Sequence, residues 1–153
     1  MHQTAAVLVA DDSAVASPPQ QVLRSLMTVL GWFRETIRQV APHHSGATLA
    51  LLVQLDRCGP MRARELAEFS RVDPSVISRQ VAHLADAGLV DREADPHDRR
   101  AQLLTLSAAG AAVLAETREA MLAVVEARLT DWDPDELRAF AEQLVRLITD
   151  LSG

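Results

Sequence analysis

Nine residues between positions 62 and 100 hold the side chains best suited to a function: Arg62, Arg64, Ser75, Ser78, Arg79, His83, Asp98, Arg99 and Arg100. A guanidinium offers a planar fork of N–H donors that matches a phosphate or the O6/N7 edge of guanine, and hydroxyl and imidazole groups donate to the same acceptors. The chain has no lysine, so every basic contact it makes carries that fork. No nucleophile elbow, phosphate-cradling glycine loop or zinc-protease motif accompanies these residues, so an enzyme is not expected. The donor set fits a polyanion.

The elements that would position these groups are legible around them. Asp73-Pro74 is a helix start, because an aspartate carboxylate accepts the orphan N–H groups of a first turn and proline at the first helical position has no N–H to satisfy. Ile77, Val81 and Leu84 then recur four and three apart, which turns one face inward and leaves Ser75, Ser78, Arg79 and His83 on other faces. Ala87-Gly88 ends this helix, and Leu89-Val90-Asp91-Arg92 enters an extended segment. Asp95-Pro96-His97-Asp98 is turn chemistry and residues 101 to 106 form the returning strand, so Arg99 and Arg100 sit at a hairpin tip. With a short helix over about Ala63 to Phe69 in front, the pattern is a winged helix-turn-helix. An arginine on a narrow projecting loop suits the minor groove, where negative potential is concentrated.

Three stretches, ELA at 65–67, DPSVISRQVAHLADAGLVDR at 73–92 and DPHDRRAQLLTLSAAG at 95–110, resemble the MarR family of bacterial transcription regulators. The resemblance is close over the middle third of the chain, and the flanking helices agree in number, order and length. It implies a sequence-specific regulator of double-stranded DNA, a repressor, acting as a homodimer on a palindromic operator. Arg79 would then contact DNA directly. Ser75 and Ser78 either contact phosphate or base or cover the helix surface, and His83 is either a phosphate contact or a surface histidine. The family places its wing arginine in a DxR pattern, which assigns Arg100 to the minor groove, Asp98 to its support and Arg99 to phosphate. Arg62 is a departure: the family usually has a small hydroxyl residue at this helix cap, and a guanidinium cannot accept a backbone N–H. A phosphate contact would give Arg62 another use.

The formal charge of −6 opposes a polyanionic partner, but its distribution moderates the objection. Residues 61 to 100 carry seven arginines against eight acids, net −1, so the remaining −5 lies elsewhere. Weak non-specific binding is the consequence. One cysteine, Cys58, excludes an internal disulfide and fits a reducing cytosol; it reads as a small helix-end residue rather than a redox sensor. Residues 5 to 10 are apolar, but the run is too short for a bilayer and has no basic residue before it, so a cytoplasmic protein with no membrane partner is expected. No cofactor is expected. The adjacent His43 and His44 lack a ligand-spaced carboxylate or cysteine, so no metal is expected.

The fold expected is mainly α, with α+β character in the wing: a winged helix-turn-helix with N- and C-terminal dimerisation helices. Residues 1–17 form a flexible arm ending at Pro18-Pro19, and 18–153 a single domain in which 45–106 is the winged helix-turn-helix. Residues 20–41 and 107–153 supply the dimerisation helices. Leu23, Leu26, Leu30, Phe33, Ile37 and Val40 make a heptad seam on the first helix. Leu114, Met121, Leu122, Val125 and Leu129 make a buried stripe on the helix capped by Ser107. Asp133-Pro134-Asp135-Glu136 starts a last helix with a seam of its own, Leu137, Phe140, Leu144, Leu147 and Leu151. The resemblance also implies a small aromatic or phenolic acid effector in a crevice between the dimer interface and the DNA-reading lobes, where Trp32, Arg34 and His43 are candidates. Trp32 is equally open to ordinary packing. The competing reading is a helical protein-interaction module whose winged helix no longer binds DNA; a mobility-shift titration at two salt concentrations separates the two.

Overall fold

A computed structural model of the chain describes residues 17–96, 98 and 101–152. In order these form α1 (Pro18–Val40), α2 (Gly46–Cys58), β1 (Met61–Arg62), α3 (Ala63–Ser70), α4 (Pro74–Asp86), β2 (Val90–Ala94), β3 (Gln102–Leu106), α5 (Ala108–Arg128) and α6 (Pro134–Ser152). The mainly α fold with a winged helix-turn-helix is therefore present. The arm expected at 1–17 lies, apart from Ser17, outside the described residues. Two compact units can be distinguished, one ending at Arg118 and the other beginning at Glu119.

In the first unit, chemistry local to each helix start explains where it begins. The Ser17 N–H donates to Gln20 Oε1 at 2.8 Å ahead of Pro18, and the Thr48 N–H donates to Ser45 Oγ at 3.0 Å. The start of α3 has the non-accepting Arg62 as its cap, yet the Arg62 N–H donates to Glu65 Oε2 at 2.7 Å. Half of a capping box thus survives without the hydroxyl. The helix start is anchored from Glu65, which satisfies the Arg62 N–H, while Arg62 itself accepts no N–H of the first turn, as its guanidinium requires.

The core lies where α2, α3, α4 and the wing sheet meet. Leu52, Leu66, Ile77 and Leu84 are its most enclosed large side chains, with Val90 and Leu104 closing it from the strands. Burying such a side chain stabilises by about 1.5–3 kcal/mol. The sheet has three antiparallel strands in the order β1-β3-β2. Met61 and Arg62 face Leu104 and Leu103, while Val90 to Ala94 face Leu106 to Gln102. The hairpin expected from sequence is thus widened by β1, which is too short for an alternating pattern to reveal.

The end of α4 is tied to the next helix through Gly88 and Ser107. Gly88 has φ +70°, the left-handed turn that lets α4 stop and the chain reverse into β2. Its carbonyl accepts from Ser107 Oγ at 2.7 Å, and the Ser107 hydroxyl oxygen accepts the Gly110 N–H at 3.0 Å, so one side chain caps α5 and docks it onto the end of α4. Gly110 fits closely: a Cβ built there would lie 2.2 Å from the Leu89 carbonyl oxygen.

The α5 stripe needs one correction. Leu114 and Met121 are buried and Val125 and Leu129 are half-buried, but Leu122 is 56% exposed. It follows Met121 directly, so it sits about 100° around the helix from the face that Met121 shares with Leu114 and Val125. In the second unit Asp133 Oδ1 accepts the Asp135 N–H at 2.8 Å and the Glu136 N–H at 3.4 Å, as the Asp-Pro start implied. Trp132 packs its ring 5.7 Å from that of Phe140. No residue of α6 is buried. Among the described residues, no helix is long and apolar enough to cross a membrane.

Candidate DNA interface

The helix α4 presents its polar residues as the spacing required. Asp73 accepts the Ser75 N–H on Oδ1 at 2.8 Å, and its carbonyl takes the Val76 and Ile77 N–H groups at 3.0 and 3.2 Å. Hydrogen bonds from the Ser75 side chain first, and from its backbone second, hold the Asp73 carboxyl below the usual carboxylate range. Ile77, Val81 and Leu84 are buried, and Ser75, Ser78, Arg79 and His83 are exposed. The helix is thereby fixed along one side and open along the other.

Arg79 donates from Nε to the Ser75 carbonyl at 3.2 Å, which lays the side chain back along its own helix. The two Nη groups are left to make a paired contact of the kind a guanine edge accepts. Arg64 is paired within α3, Nε to Glu68 Oε1 at 2.9 Å, in an exposed i,i+4 contact. Such pairs contribute little and are screened by salt, so a phosphate can displace the glutamate.

Arg62 is placed differently. Its Nε and Nη2 lie 2.7 and 2.5 Å from Asp95 Oδ2, and the carboxylate is only 4% exposed. The hydrogen bond it donates to Asp95, and then the charge of that carboxylate, raise the Arg62 pKa above the ordinary arginine value. Sequence reasoning read Asp95 as turn chemistry and missed this partnership, because the two residues are 33 positions apart and no local pattern links them.

At the wing the Asp95 N–H donates to the Ala101 carbonyl at 3.1 Å, the Asp98 N–H to the Asp95 carbonyl at 3.3 Å, and the Ala101 N–H to the Asp98 carbonyl at 2.8 Å. This mesh closes the loop at its root. Arg99 and Arg100, expected at phosphate and minor groove, lie outside the described residues, and so does the bracing of Arg100 by Asp98.

A cleft of about 530 Å³ opens beside α4, where His43, His44 and Ser45 at the start of α2 face Arg79, Gln80 and His83. Among the described residues no acidic side chain lines it, so its chemistry suits an anion. His43 thus lines the same cleft as Arg79 and His83, whereas Trp32 and Arg34 are not among the residues that line it. Trp32 is half-buried in α1, where its carbonyl accepts the Thr36 hydroxyl at 2.9 Å, and Arg34 is exposed. Cys58 is exposed at the end of α2, with its sulfur 3.0 Å from Gln54 Nε2. Among the described residues no group of three or more His, Cys, Asp or Glu is arranged to hold a metal ion.

Comparison with known proteins matches this geometry to one family. Residues 46–101, which span α2 through the wing, match the model of the MarR family. An uncharacterised HTH-type transcriptional regulator of Bacillus subtilis strain 168, YxaD, is 39% identical over 97 residues, covering 63% of this chain and 68% of YxaD. A crystal structure of MarR superposes with a TM-score of 0.70 at 26% identity, over 85% of this chain and 90% of that one. A MarR family protein from Bacillus stearothermophilus has a TM-score of 0.78 at 19% identity and covers 94% of this chain and 100% of its own, which shows the shared fold. Both the sequence and the architecture point to regulators of transcription and not to enzymes. The chain belongs to the MarR family and is a DNA-binding, winged helix-turn-helix transcriptional regulator.

Proposed function

We propose that the protein is a cytoplasmic repressor that binds a palindromic operator as a homodimer, reading the major groove with α4 and the minor groove with the wing. The observation that carries this reading is the solvent-facing row Ser75, Ser78, Arg79 and His83 on a helix whose opposite face is locked in the core. Arg79 reads a base, while Ser75, Ser78, His83 and Arg64 engage phosphate or base edges. Arg99 takes a phosphate and Arg100 the minor groove, with Asp98 bracing it. Arg62 is assigned to the same surface, and its pairing with Asp95 gives it a distinct part there.

Arg79→Ala is expected to weaken operator binding by about 1–3 kcal/mol and to relax the base preference at one position in each half-site. Binding titrations against the gene's upstream DNA and point variants of it measure both. Unchanged affinity and unchanged preference would sink the assignment of α4 as reader. Arg99→Ala should instead weaken all sequences alike and lower the salt slope by about one unit for each phosphate left without its guanidinium.

Dimerisation is supported by apolar side chains left open on the single chain. On α1, Leu23, Met27, Leu30 and Phe33 are 44–62% exposed; on α6, Phe140, Leu144, Ile148 and Leu151 are 37–71% exposed. Rows this regular on helices in water are surfaces awaiting a partner, and twofold pairing would set two α4 helices in successive major grooves, about 34–36 Å apart.

An aromatic acid effector is the reading proposed for Trp32, Arg34 and His43. The observation favouring it is that His43 lines the anion-suited cleft that Arg79 also lines. A carboxylate held there would compete with DNA for Arg79, so each ligand must weaken the other by the same factor. Salicylate titrated with and without operator DNA, followed by tryptophan fluorescence with a Trp32→Phe control for the second emitter, Trp132, is expected to show that reciprocity. A series of salicylate-like acids that neither binds nor loosens DNA rules this effector class out.

A further inference from the structure

We propose that Arg62 is a positioning residue for DNA binding: its ion pair with the buried Asp95 holds the wing against the start of the helix-turn-helix, and the Arg62 charge is not itself a phosphate contact. The proposal rests on the DNA-reading assignment above.

The sheet order is the first ground. β1 and β2 each bond to β3 and lie on opposite sides of it, so no backbone ladder joins the two outer strands. Arg62 and Glu93 both stand opposite Leu103, and Asp95 follows two residues after Glu93. The Arg62 side chain therefore bridges the width of β3 and links the root of the wing to the cap of α3. An antiparallel pair twists readily when nothing crosses it, and a hairpin by itself is only marginally stable in water.

Burial is the second ground. Asp95 is 4% exposed, and its own N–H and carbonyl anchor the loop that carries residues 99 and 100. Placing a carboxylate there is unfavourable without a cation on it, and the guanidinium supplies two donors to one oxygen. Removing the guanidinium takes two donors from that oxygen and so loosens the loop root that Asp95 anchors. A charge already committed to Asp95 also adds little to the attraction for phosphate, since the pair is neutral as a unit.

This gives a test in which the sign of the effect discriminates. Asp95→Asn removes a negative charge from a DNA-binding surface, so on electrostatic grounds alone it should tighten binding. If the pair positions the wing, Asp95→Asn weakens binding about tenfold, Arg62→Gln weakens it by a similar factor, and the double variant is no worse than either alone. Fluorescence anisotropy with a duplex of the gene's upstream region, and with a random duplex of equal length, between about 50 and 200 mM salt provides the measurements. The Arg62→Gln salt slope is expected to match that of the parent protein, and Arg62→Lys to recover part of the loss. If melting shows Asp95→Asn to be unfolded, Asp95→Glu replaces it: the charge stays, the geometry shifts by one methylene, and weakened binding is again expected. Asp95→Asn (or Asp95→Glu in its place) binding as tightly as the parent overturns the proposal. So does a salt slope lowered by about one unit in Arg62→Gln, which marks a direct phosphate contact. A parent protein that binds neither duplex removes the DNA-reading assignment, and this inference with it.

Discussion

The double variant Leu144→Glu/Ile148→Glu is expected to be a folded monomer that binds its operator at least about 100-fold more weakly than the parent, because two linked half-site contacts become one and avidity disappears. Both side chains are open on the single chain, at 37% and 62% exposure, so glutamate there meets little but water unless a second copy covers the face. Substitutions at such exposed positions ordinarily change folding stability by less than about 0.5 kcal/mol. The variant thus separates assembly from folding. Light scattering gives the mass and circular dichroism the fold; a variant that stays dimeric would remove α6 from the interface and leave α1 to account for pairing.

The second large effect is expected at Gly110. A Cβ there would lie 2.2 Å from the Leu89 carbonyl oxygen and 2.8 Å from Leu106 Cδ1, both too close for any real contact. The first obstacle is backbone, which cannot step aside without unseating the junction of α4, β2 and α5. Gly110→Ala is expected to destabilise by about 3 kcal/mol, the upper end for an overpacked core, and to lower Tm by about 6–12 °C. The same substitution at Gly31 in α1, where a Cβ would meet nothing within 4 Å, should stabilise by up to about 1 kcal/mol through helix propensity. Thermal melts of the two proteins should therefore move in opposite directions. Equal shifts would mean that α5 docks less tightly on the Leu89 backbone than its geometry states.

What could be read from sequence was what neighbouring residues determine. Asp73-Pro74, Ser107 and Asp133-Pro134 mark helix starts because a cap acts within three residues of itself, and each lies where its side chain implied. The inward face of α4 follows from spacing alone. The Arg62–Asp95 pair has no such signature: its members belong to different elements and meet only after the sheet has formed. β1 escaped for a related reason, since two residues cannot display an alternation. Leu122 was misplaced because a stripe of leucine, valine and methionine on a largely apolar helix leaves its azimuth undetermined, and Met121-Leu122 offers two faces for one core. The cleft joining His43 to Arg79 depends on how α2 approaches α4, a matter of packing that no local pattern encodes.

The pairing of Arg62 with Asp95 and of Arg64 with Glu68 bears on how such a protein finds one site in a genome. Most of a chromosome competes with an operator by offering phosphates, and a regulator with a strongly cationic face is largely sequestered by that excess. Here two of the guanidiniums near the reading helix begin committed to carboxylates, and the exposed Glu68 must be displaced before Arg64 can serve DNA. Displacing it takes back part of the gain from each random phosphate contact. A larger share of the molecules should then be in free solution, arriving at the operator by three-dimensional collision more than by sliding along the duplex. Occupancy would follow the cellular concentration of the protein closely, and a modest change in its synthesis would carry directly into the regulated gene.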